Sequence, residues 1–167
     1  MNEAPFEFLD DDELRCLAAF QQSEVKFIVV GGYAVRAHGY LRSTGDLDLL
    51  IAVDADNLSR LQSALSSLGV LSSQEVVDLF ATKPNPHWHW QEGYADHYVE
   101  LLAAVESLFF DDLISSAIEV EHGELRLIVI SRCHLIEVKE RGLTRGGRGE
   151  KAEQDREDIA ALRSGCH

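Results

Sequence analysis

The sequence predicts an α+β fold in which a small mixed sheet is flanked by helices. Short apolar strand segments alternate with helical segments, a hairpin pattern covers about residues 118–130, and two helices close the chain. The length of 167 residues, with 46% hydrophobic and 26% charged residues, is typical of one folded unit. We therefore expect a single domain over 1–167 whose C-terminal portion, from about residue 131, is helical.

The first half of the chain is predicted to contain three helices and two strands. Capping residues and apolar spacing define the helices, and short apolar runs define the strands. In chain order, the predicted elements are a helix capped by Asp11 or Asp12 that ends near Gln22, a strand over 25–30, a short helix over about 33–38, a strand from 46 to about 53, and a helix capped by Asp54 and stopped by Gly69.

The second half is predicted to contain strands followed by helices. Residues 72–86 fit either a helical turn or a strand, and both interpretations stay open. In chain order, the remaining elements are a strand over about 94–103, a hairpin of 118–120 with 125–130, a helix capped by Ser131 that runs to about 141, and a helix over about 151–163.

Charge and cysteine content narrow the functional classes. Fifteen Lys and Arg residues against 29 Asp and Glu residues give a net charge of −14, which repels phosphate backbones and argues against extensive coating of nucleic acid. Three scattered cysteines are too few for a disulfide framework and favour a reducing compartment. The N-terminal segment is acidic, and no apolar run approaches ~20 residues, so we expect a cytoplasmic protein with no membrane partner.

Two aspartates open the predicted strand that starts at residue 46. Side chains alternate along a strand, so Asp46 and Asp48 point to one face, with Cα atoms roughly 6.5–7 Å apart, while Leu47 and Leu49 point into the core. Neighbouring carboxylates repel each other, and a hard divalent cation such as Mg²⁺ between their oxygens relieves the repulsion. The pattern therefore predicts a cation site.

A glycine pair, Gly31-Gly32, directly follows the predicted strand over 25–30. Because glycine has no Cβ, its backbone can approach a phosphate, and N–H groups at the start of the next helix can donate to it. Alone, the pair fits a tight strand-to-helix turn better than a phosphate site. Its position fourteen residues before Asp46, with an Arg- and Thr-bearing loop between, favours the functional interpretation.

This order of motifs resembles the nucleotidyltransferase superfamily that includes DNA polymerase beta. The resemblance implies a nucleotidyltransferase-type fold and transfer of a nucleoside monophosphate from a nucleoside triphosphate such as ATP to an acceptor, with release of pyrophosphate. It implies that Gly31 and Gly32 hold the β- and γ-phosphates and that Asp46 and Asp48 bind Mg²⁺ or Mn²⁺. Arg42 or Thr44 could contact phosphate, although a surface salt bridge for Arg42 and a turn-stabilising hydroxyl for Thr44 are equally good alternatives.

Within the superfamily, the chain resembles small bacterial nucleotidyltransferase-like proteins. The resemblance rests on the motifs above, a downstream VELL, a helix with Lys139, and a last helix containing EDIAAL. It implies that Lys139 binds nucleotide and, because several such proteins act in toxin–antitoxin or abortive-infection systems, that a partner protein exists. Four further cations near Lys139 are better explained as balancing the acidic last helix: Arg141, Arg145, Arg148 and Lys151.

A third carboxylate is expected on the strand over about 94–103. Asp96 and Glu100 lie four residues apart and share a face, so alternation cannot choose between them. The resemblance favours Glu100, which precedes two apolar residues, as the third metal ligand and as the base that takes the acceptor proton. The alternative is that Glu100 is a surface acid on an edge strand.

Histidines and tryptophans in the segment 87–97 allow other interpretations. His87 and His89 share a strand face and could ligate a transition metal together with His97, although the spacing defines no fourth ligand. Trp88 and Trp90 could stack on a base, but packing beside the sheet explains them better.

Three functions are consistent with these residues. The first is a metal-dependent nucleotidyltransferase whose acceptor hydroxyl belongs to an RNA end or a protein. The second is a non-catalytic, nucleotide-binding antitoxin or regulator whose acidic surface binds a basic partner. The third is an enzyme that modifies an antibiotic hydroxyl, which ranks last because the length leaves no room for a second, acceptor-binding domain.

Overall fold

The computed structural model describes residues 5–91, 98–146 and 149–164. Its elements are α1 (Asp11–Gln22), β1 (Phe27–Val30), α2 (Gly31–Ala37), β2 (Leu47–Ile51), α3 (Ala55–Ser67), α4 (Ser73–Thr82), β3 (His87–Trp90), β4 (Val99–Leu102), β5 (Ala104–Val105), β6 (Leu108–Phe109), α5 (Phe110–Leu113), β7 (Ile118–His122), β8 (Leu125–Val129), α6 (Arg132–Thr144) and α7 (Glu150–Ser164). Among these described segments, none of the helices has the length and apolar character that crossing a bilayer requires.

Six strands form a mixed sheet in the order β3-β4-β2-β1-β8-β7, which confirms the predicted α+β class. Strand β1 runs antiparallel to β2 and parallel to β8, while β4 runs parallel to β2 and antiparallel to β3. All four residues of β1 are buried, as expected for a central strand covered on both faces. The two strands next in order, β2 and β4, therefore hold their side chains on a rigid support.

Alternation along β2 separates its apolar and acidic side chains as predicted. Leu47 and Leu49 are completely buried in the core, and the half-buried Asp48 between them lies on the opposite face. Asp54 caps α3, with its carboxylate accepting from the Asn57 N–H at 2.9 Å. These local signals lie within a few residues of each other, which is why the sequence predicts them well.

Helix α2 begins earlier than the sequence predicts. It starts at Gly31, directly after β1, and not at about residue 33. Gly31 has a φ of +71°, a left-handed conformation that turns the chain from strand into helix without a linking loop. The glycine pair therefore forms the first turn of α2.

The cap of α1 also differs from the prediction. Asp10, and not Asp11 or Asp12, caps the helix: its carboxylate accepts from the Glu13 N–H at 2.7 Å, and Glu13 accepts from the Asp10 N–H at 3.0 Å. This is a reciprocal capping box. Three consecutive aspartates all fit the cap, so the sequence alone did not select the first.

Two regions of the second half correct the sequence interpretation. Residues 72–86, left open, contain α4. The strand expected over about 94–103 is described only as β4, because residues 92–97 lie outside the described part of the chain. Strand β4 is flanked by β2 and β3, so the alternative that Glu100 lies on an edge strand is wrong. The hairpin of β7 and β8 and the Ser131 cap of α6 are confirmed.

Buried ion pairs join the two C-terminal helices to the loop before β2. Asp158, fully buried on α7, accepts from Arg42 at 2.8 and 3.0 Å, and Lys139 Nζ on α6 lies 2.8 Å from Asp158 and 3.0 Å from Asp155. Burial alone would raise the pKa of Asp158, but hydrogen bonds from Arg42 and Lys139 outweigh it and lower that pKa. The carboxylate is thus held ionised between two cations.

Asp158→Asn is expected to lower the free energy of unfolding by about 3 kcal/mol, because it leaves Arg42 without its bidentate partner and Lys139 with one carboxylate. At about 2–4 °C per kcal/mol for a chain of this size, Tm should fall by roughly 6–12 °C in thermal unfolding monitored by circular dichroism. Glu157→Gln, at an exposed position of the same helix, is the control and should change stability by less than about 0.5 kcal/mol. Equal Tm values for Asp158→Asn and Glu157→Gln would contradict the structural role given to Asp158.

Candidate active site

Three carboxylates lie on one face of the sheet at the ends of β2 and β4. Asp48 is the register partner of Glu100 across the parallel pair, and it is also opposite Val30, the last residue of β1. Asp46 precedes β2, and its Oδ1 accepts a hydrogen bond from the Tyr98 N–H at 3.1 Å. The structure therefore brings together the two aspartates and the glutamate that the sequence analysis proposed as metal ligands. Asp96 lies outside the described residues.

Gly31 lies directly against the middle carboxylate. A Cβ at this position would be 2.2 Å from Asp48 Oδ2, far closer than any carbon can approach an oxygen without a bond. The position also has the positive φ described above. Both observations require glycine here, and the close approach places the backbone at the start of α2 against the Asp48 carboxylate.

Gly32 contacts the loop that carries the two other predicted phosphate ligands. A Cβ at Gly32 would lie 2.1 Å from Thr44 Oγ1 and 3.4 Å from Arg42 Nη1. The Thr44 hydroxyl and one Arg42 nitrogen therefore lie beside the glycine backbone. The sequence analysis named Arg42 or Thr44 as a phosphate contact through the family resemblance, and that role stays a prediction.

Electrostatics at the site are unfavourable for three free carboxylates. Burial, together with the neighbouring Glu100 and Asp46 carboxylates, raises the pKa of Asp48 to about 8. A divalent cation would reverse this effect by favouring the ionised form. The donor set, carboxylate oxygens alone, is the one that Mg²⁺ and Mn²⁺ prefer, so these residues fit the metal that the superfamily resemblance implies.

A cleft of about 900 Å³ opens in front of the carboxylates. Gly31, Asp48 and Glu100 form part of its wall, and Lys139 and Asp155 of the C-terminal helices form another part. This volume is within the range of pockets that hold a ligand the size of a nucleotide.

The two predicted phosphate-binding cations are already engaged by carboxylates. Arg42 forms its bidentate pair with the buried Asp158, which resembles the salt-bridge alternative except that the pair is buried and not on the surface. Lys139 is also buried between Asp155 and Asp158. The sequence analysis did not identify Asp155 or Asp158 as partners of these cations. Arg42 lies 116 residues before Asp158, and Lys139 lies 16 residues before Asp155, and no local spacing relates residues this far apart.

The other cations of the C-terminal region also pair with acids. Arg141 is 2.6 Å from Glu137, and Arg145 is 2.7 Å from Glu106. Lys151 is exposed, with Nζ 3.8 Å from Asp155. Arg141 and Arg145 therefore pair with acids outside the last helix, so the interpretation that they balance that helix is wrong for these two, whereas Lys151 lies beside Asp155 of that helix. Arg148 lies outside the described residues.

The histidine and tryptophan side chains of β3 point to opposite faces of the sheet. Trp88 and Trp90 pack against the hydrophobic core, which favours the packing interpretation over base stacking. His87 and His89 occupy the other face and lie close to Glu100, a neighbour that the sequence analysis did not consider. His97, which the sequence analysis named as a possible third ligand, lies outside the described residues. The pairing of β3 with β4 creates this proximity, and sequence spacing does not reveal it.

Gly32→Val is expected to weaken binding of a nucleoside triphosphate by at least about tenfold, because the branched side chain displaces Thr44 and blocks close approach of a phosphate. Mg²⁺ binding should change much less, since the three carboxylates are unaltered. Calorimetric titration with each ligand measures the two effects separately. Gly39→Ala, at an open turn position with φ of +97°, controls for loss of a glycine with backbone strain alone. If the folded Gly32→Val variant binds triphosphate as tightly as the wild type, the Gly31-Gly32 pair forms only a strand-to-helix turn and does not bind phosphate.

No family model and no curated protein matches the sequence. Among solved structures, the chain is similar to the solution structure of the antibiotic-resistance factor ANT(2'')-Ia, an aminoglycoside nucleotidyltransferase. The TM-score is 0.51 at 14% sequence identity, and the similarity covers 92% of this chain and 88% of that chain. The chain therefore has a nucleotidyltransferase-type α+β fold, with a mixed sheet of six strands.

Proposed function

We propose that the protein is a metal-dependent nucleotidyltransferase that moves a nucleoside monophosphate from a nucleoside triphosphate to an acceptor hydroxyl and releases pyrophosphate. The observation that carries the proposal is that Asp48 lies opposite Glu100 and near Asp46, with Gly31 against the Asp48 carboxylate and Gly32 against Thr44. A core strand end requires neither three acids in one place nor two glycines that exclude a Cβ. Phosphate chemistry explains both features together.

In this mechanism, the glycine backbone holds the triphosphate and the carboxylates orient its reacting end. The N–H groups of Gly31 and Gly32 would donate to the β- and γ-phosphates, with the Thr44 hydroxyl and Arg42 Nη1 beside them. Asp46, Asp48 and Glu100 would hold Mg²⁺ or Mn²⁺, which neutralises charge on the attacking and leaving oxygens.

Glu100 would act as the base that accepts the proton of the acceptor hydroxyl. It extends from β4 into the same cleft as Asp48, at the position opposite it in the sheet. Lys139 would contribute positive charge at the far wall of the cleft while it stays bound to Asp155 and Asp158. Both aspartates would therefore position Lys139, and the fully buried Asp158 would not touch nucleotide.

The charge of the cleft and of the whole chain limits which class of acceptor molecule can bind. The site and its rim carry several carboxylates in a chain of net charge −14, which disfavours a long RNA and suits a cationic acceptor or a short RNA end. A protein side chain, including one on the partner of a toxin–antitoxin pair, fits the same requirement if its surroundings are basic. These two acceptors, an RNA end and a protein, are the ones that the superfamily resemblance suggests.

A small cationic molecule is the second candidate acceptor. The similar structure is an antibiotic-resistance factor, and the present chain matches 88% of it. Chain length therefore does not argue against a small-molecule acceptor, which removes the reason for ranking that function last. The specific feature that favours it is the pair of carboxylates Asp48 and Glu100 in the cleft wall, because the other acids of the lining, Glu106 and Asp155, lie beside Arg145 and Lys139.

The decisive experiment supplies the protein with each of four α-labelled nucleoside triphosphates, Mg²⁺ or Mn²⁺, and one acceptor pool at a time. The pools are total RNA, a protein extract, and a set of aminoglycosides. We expect label to appear in one pool and to be absent with the Asp48→Asn variant. Tight triphosphate binding without transfer to any pool would reject the enzyme and favour the nucleotide-binding regulator.

A further inference from the structure

The edge of the sheet next to the carboxylates carries two histidines. His87 and His89 lie on the same face of β3, and His89 is the register partner of Glu100 on β4. Potential ligand atoms of the three side chains all lie within 4.8 Å of one another. Two imidazoles and one carboxylate therefore converge on one point at the side of the cleft.

We propose that His87, His89 and Glu100 bind one Zn²⁺ ion. Two imidazoles and a carboxylate form the three-ligand set of open zinc sites, in which water occupies the fourth position. Imidazole favours zinc and related transition metals over Mg²⁺, so this site differs in chemistry from the all-carboxylate set that it adjoins. The inference goes beyond nucleotidyl transfer and does not rest on it, because it concerns binding of a metal ion alone.

The geometry requires only small side-chain adjustments. Ligand atoms around a tetrahedral zinc with bonds of about 2.0–2.1 Å lie about 3.4 Å apart, so separations that are all within 4.8 Å must close by at most about 1.4 Å. Both imidazoles are exposed and can rotate to do this. The Tyr98 ring, with its centroid 4.8 Å from that of His89, supports one side of the His89 ring. His87 and Glu100 line the cleft, so the fourth position opens towards it.

Glu100 belongs both to this proposed zinc site and to the group of three carboxylates, so zinc binding should also affect Asp48. Asp48 lies directly opposite Glu100 in the sheet, so the two carboxylates repel each other when both are ionised. Zn²⁺ on Glu100 would partly neutralise that repulsion. Zn²⁺ alone should therefore stabilise the folded protein without any nucleotide.

The test is calorimetric titration of metal-free protein with Zn²⁺ at pH 7.5 in the absence of nucleotide. We expect one equivalent to bind, and His87→Gln, His89→Gln and Glu100→Gln each to weaken binding by more than about tenfold, since even loss of a residue that supports a ligand costs 10–100-fold. His122→Gln, on β7 at the opposite edge of the sheet, is the matched control and should bind Zn²⁺ within about twofold of the wild type.

Co²⁺ substitution identifies the ligands by spectroscopy. Nitrogen and oxygen ligation should give visible bands without the thiolate-to-metal absorption that binding at the exposed Cys133 would produce. A Cys133→Ser variant should therefore bind as the wild type does. The proposal is overturned if Zn²⁺ does not bind at tens of micromolar, or if both histidine variants bind it as tightly as the His122→Gln control. Neither outcome would affect the proposed nucleotidyl transfer, whose readout is labelled product.

Discussion

Asp48→Asn is expected to lower the rate of nucleotidyl transfer by at least about a thousand-fold. The same substitution is expected to stabilise the folded protein at pH 8. The first effect follows from loss of a metal ligand at the centre of the site, where charge stabilisation supplies much of the rate. Asp46→Asn should lose activity similarly. Steady-state transfer of an α-labelled nucleotide, together with thermal unfolding, measures both effects.

The stabilising effect follows from the raised pKa of Asp48. The folded protein binds the Asp48 proton up to a pH of about 8, whereas the unfolded chain releases it near its ordinary pKa of 3.8. Between these values the unfolded state binds fewer protons, so the free energy of unfolding falls as pH rises. Asparagine does not ionise, so the variant does not lose this free energy of unfolding as pH rises. Its Tm should therefore exceed the Tm of the metal-free wild type at pH 8, and the two Tm values should become similar near pH 4.

Mg²⁺ supplies the internal control for this prediction. It should raise Tm of the wild type at pH 8 more than that of Asp48→Asn, because the ionised carboxylate is the form that binds the cation. Lower stability of Asp48→Asn than of the wild type at pH 8 in the absence of Mg²⁺ would indicate a structural role for the carboxylate and would weaken its assignment to the site.

Glu100→Gln is expected to reduce nucleotidyl transfer by at least about a hundred-fold while triphosphate affinity changes by less than about threefold. The amide cannot accept the acceptor proton and is a poor metal ligand, but the glycine backbone that would hold the phosphates is untouched. Single-turnover transfer and triphosphate titration separate the two quantities.

Asp96→Asn is the comparison for the third carboxylate and should affect neither quantity. The two acids were equivalent by alternation along the predicted strand, so the pair of variants decides between them directly. Loss of transfer in Asp96→Asn with full activity in Glu100→Gln would move the third ligand to Asp96. Full activity in both would reject a third carboxylate on this strand.

The fold was predictable where the signals are local. Asp54 and Ser131 cap helices whose first turns follow at once, and the hairpin of β7 and β8 turns at a glycine between two short strands. The alternation of Asp46, Leu47 and Asp48 likewise placed acids and core on opposite faces, because both follow from the two-residue period of a strand.

The rest depends on contacts between distant parts of the chain. Asp158 meets Arg42 across 116 residues, and no local pattern relates them. The pairing of β3 with β4 determines that His89 faces Glu100, yet the sequence shows only that His87 and His89 share a face. Gly31 was singled out as a phosphate-binding position, whereas its contact with Asp48 shows in addition why no other residue fits.

The central claim is that the carboxylates and the glycine pair catalyse attack on the α-phosphorus of a nucleoside triphosphate. Parallel reactions with α-labelled and γ-labelled triphosphate, Mg²⁺ and the acceptor pool test it most directly. We expect the α label to appear on the acceptor and the γ label in pyrophosphate, with both lost in Asp48→Asn. Transfer of the γ label to the acceptor, or transfer that Asp48→Asn leaves unchanged, would contradict the account.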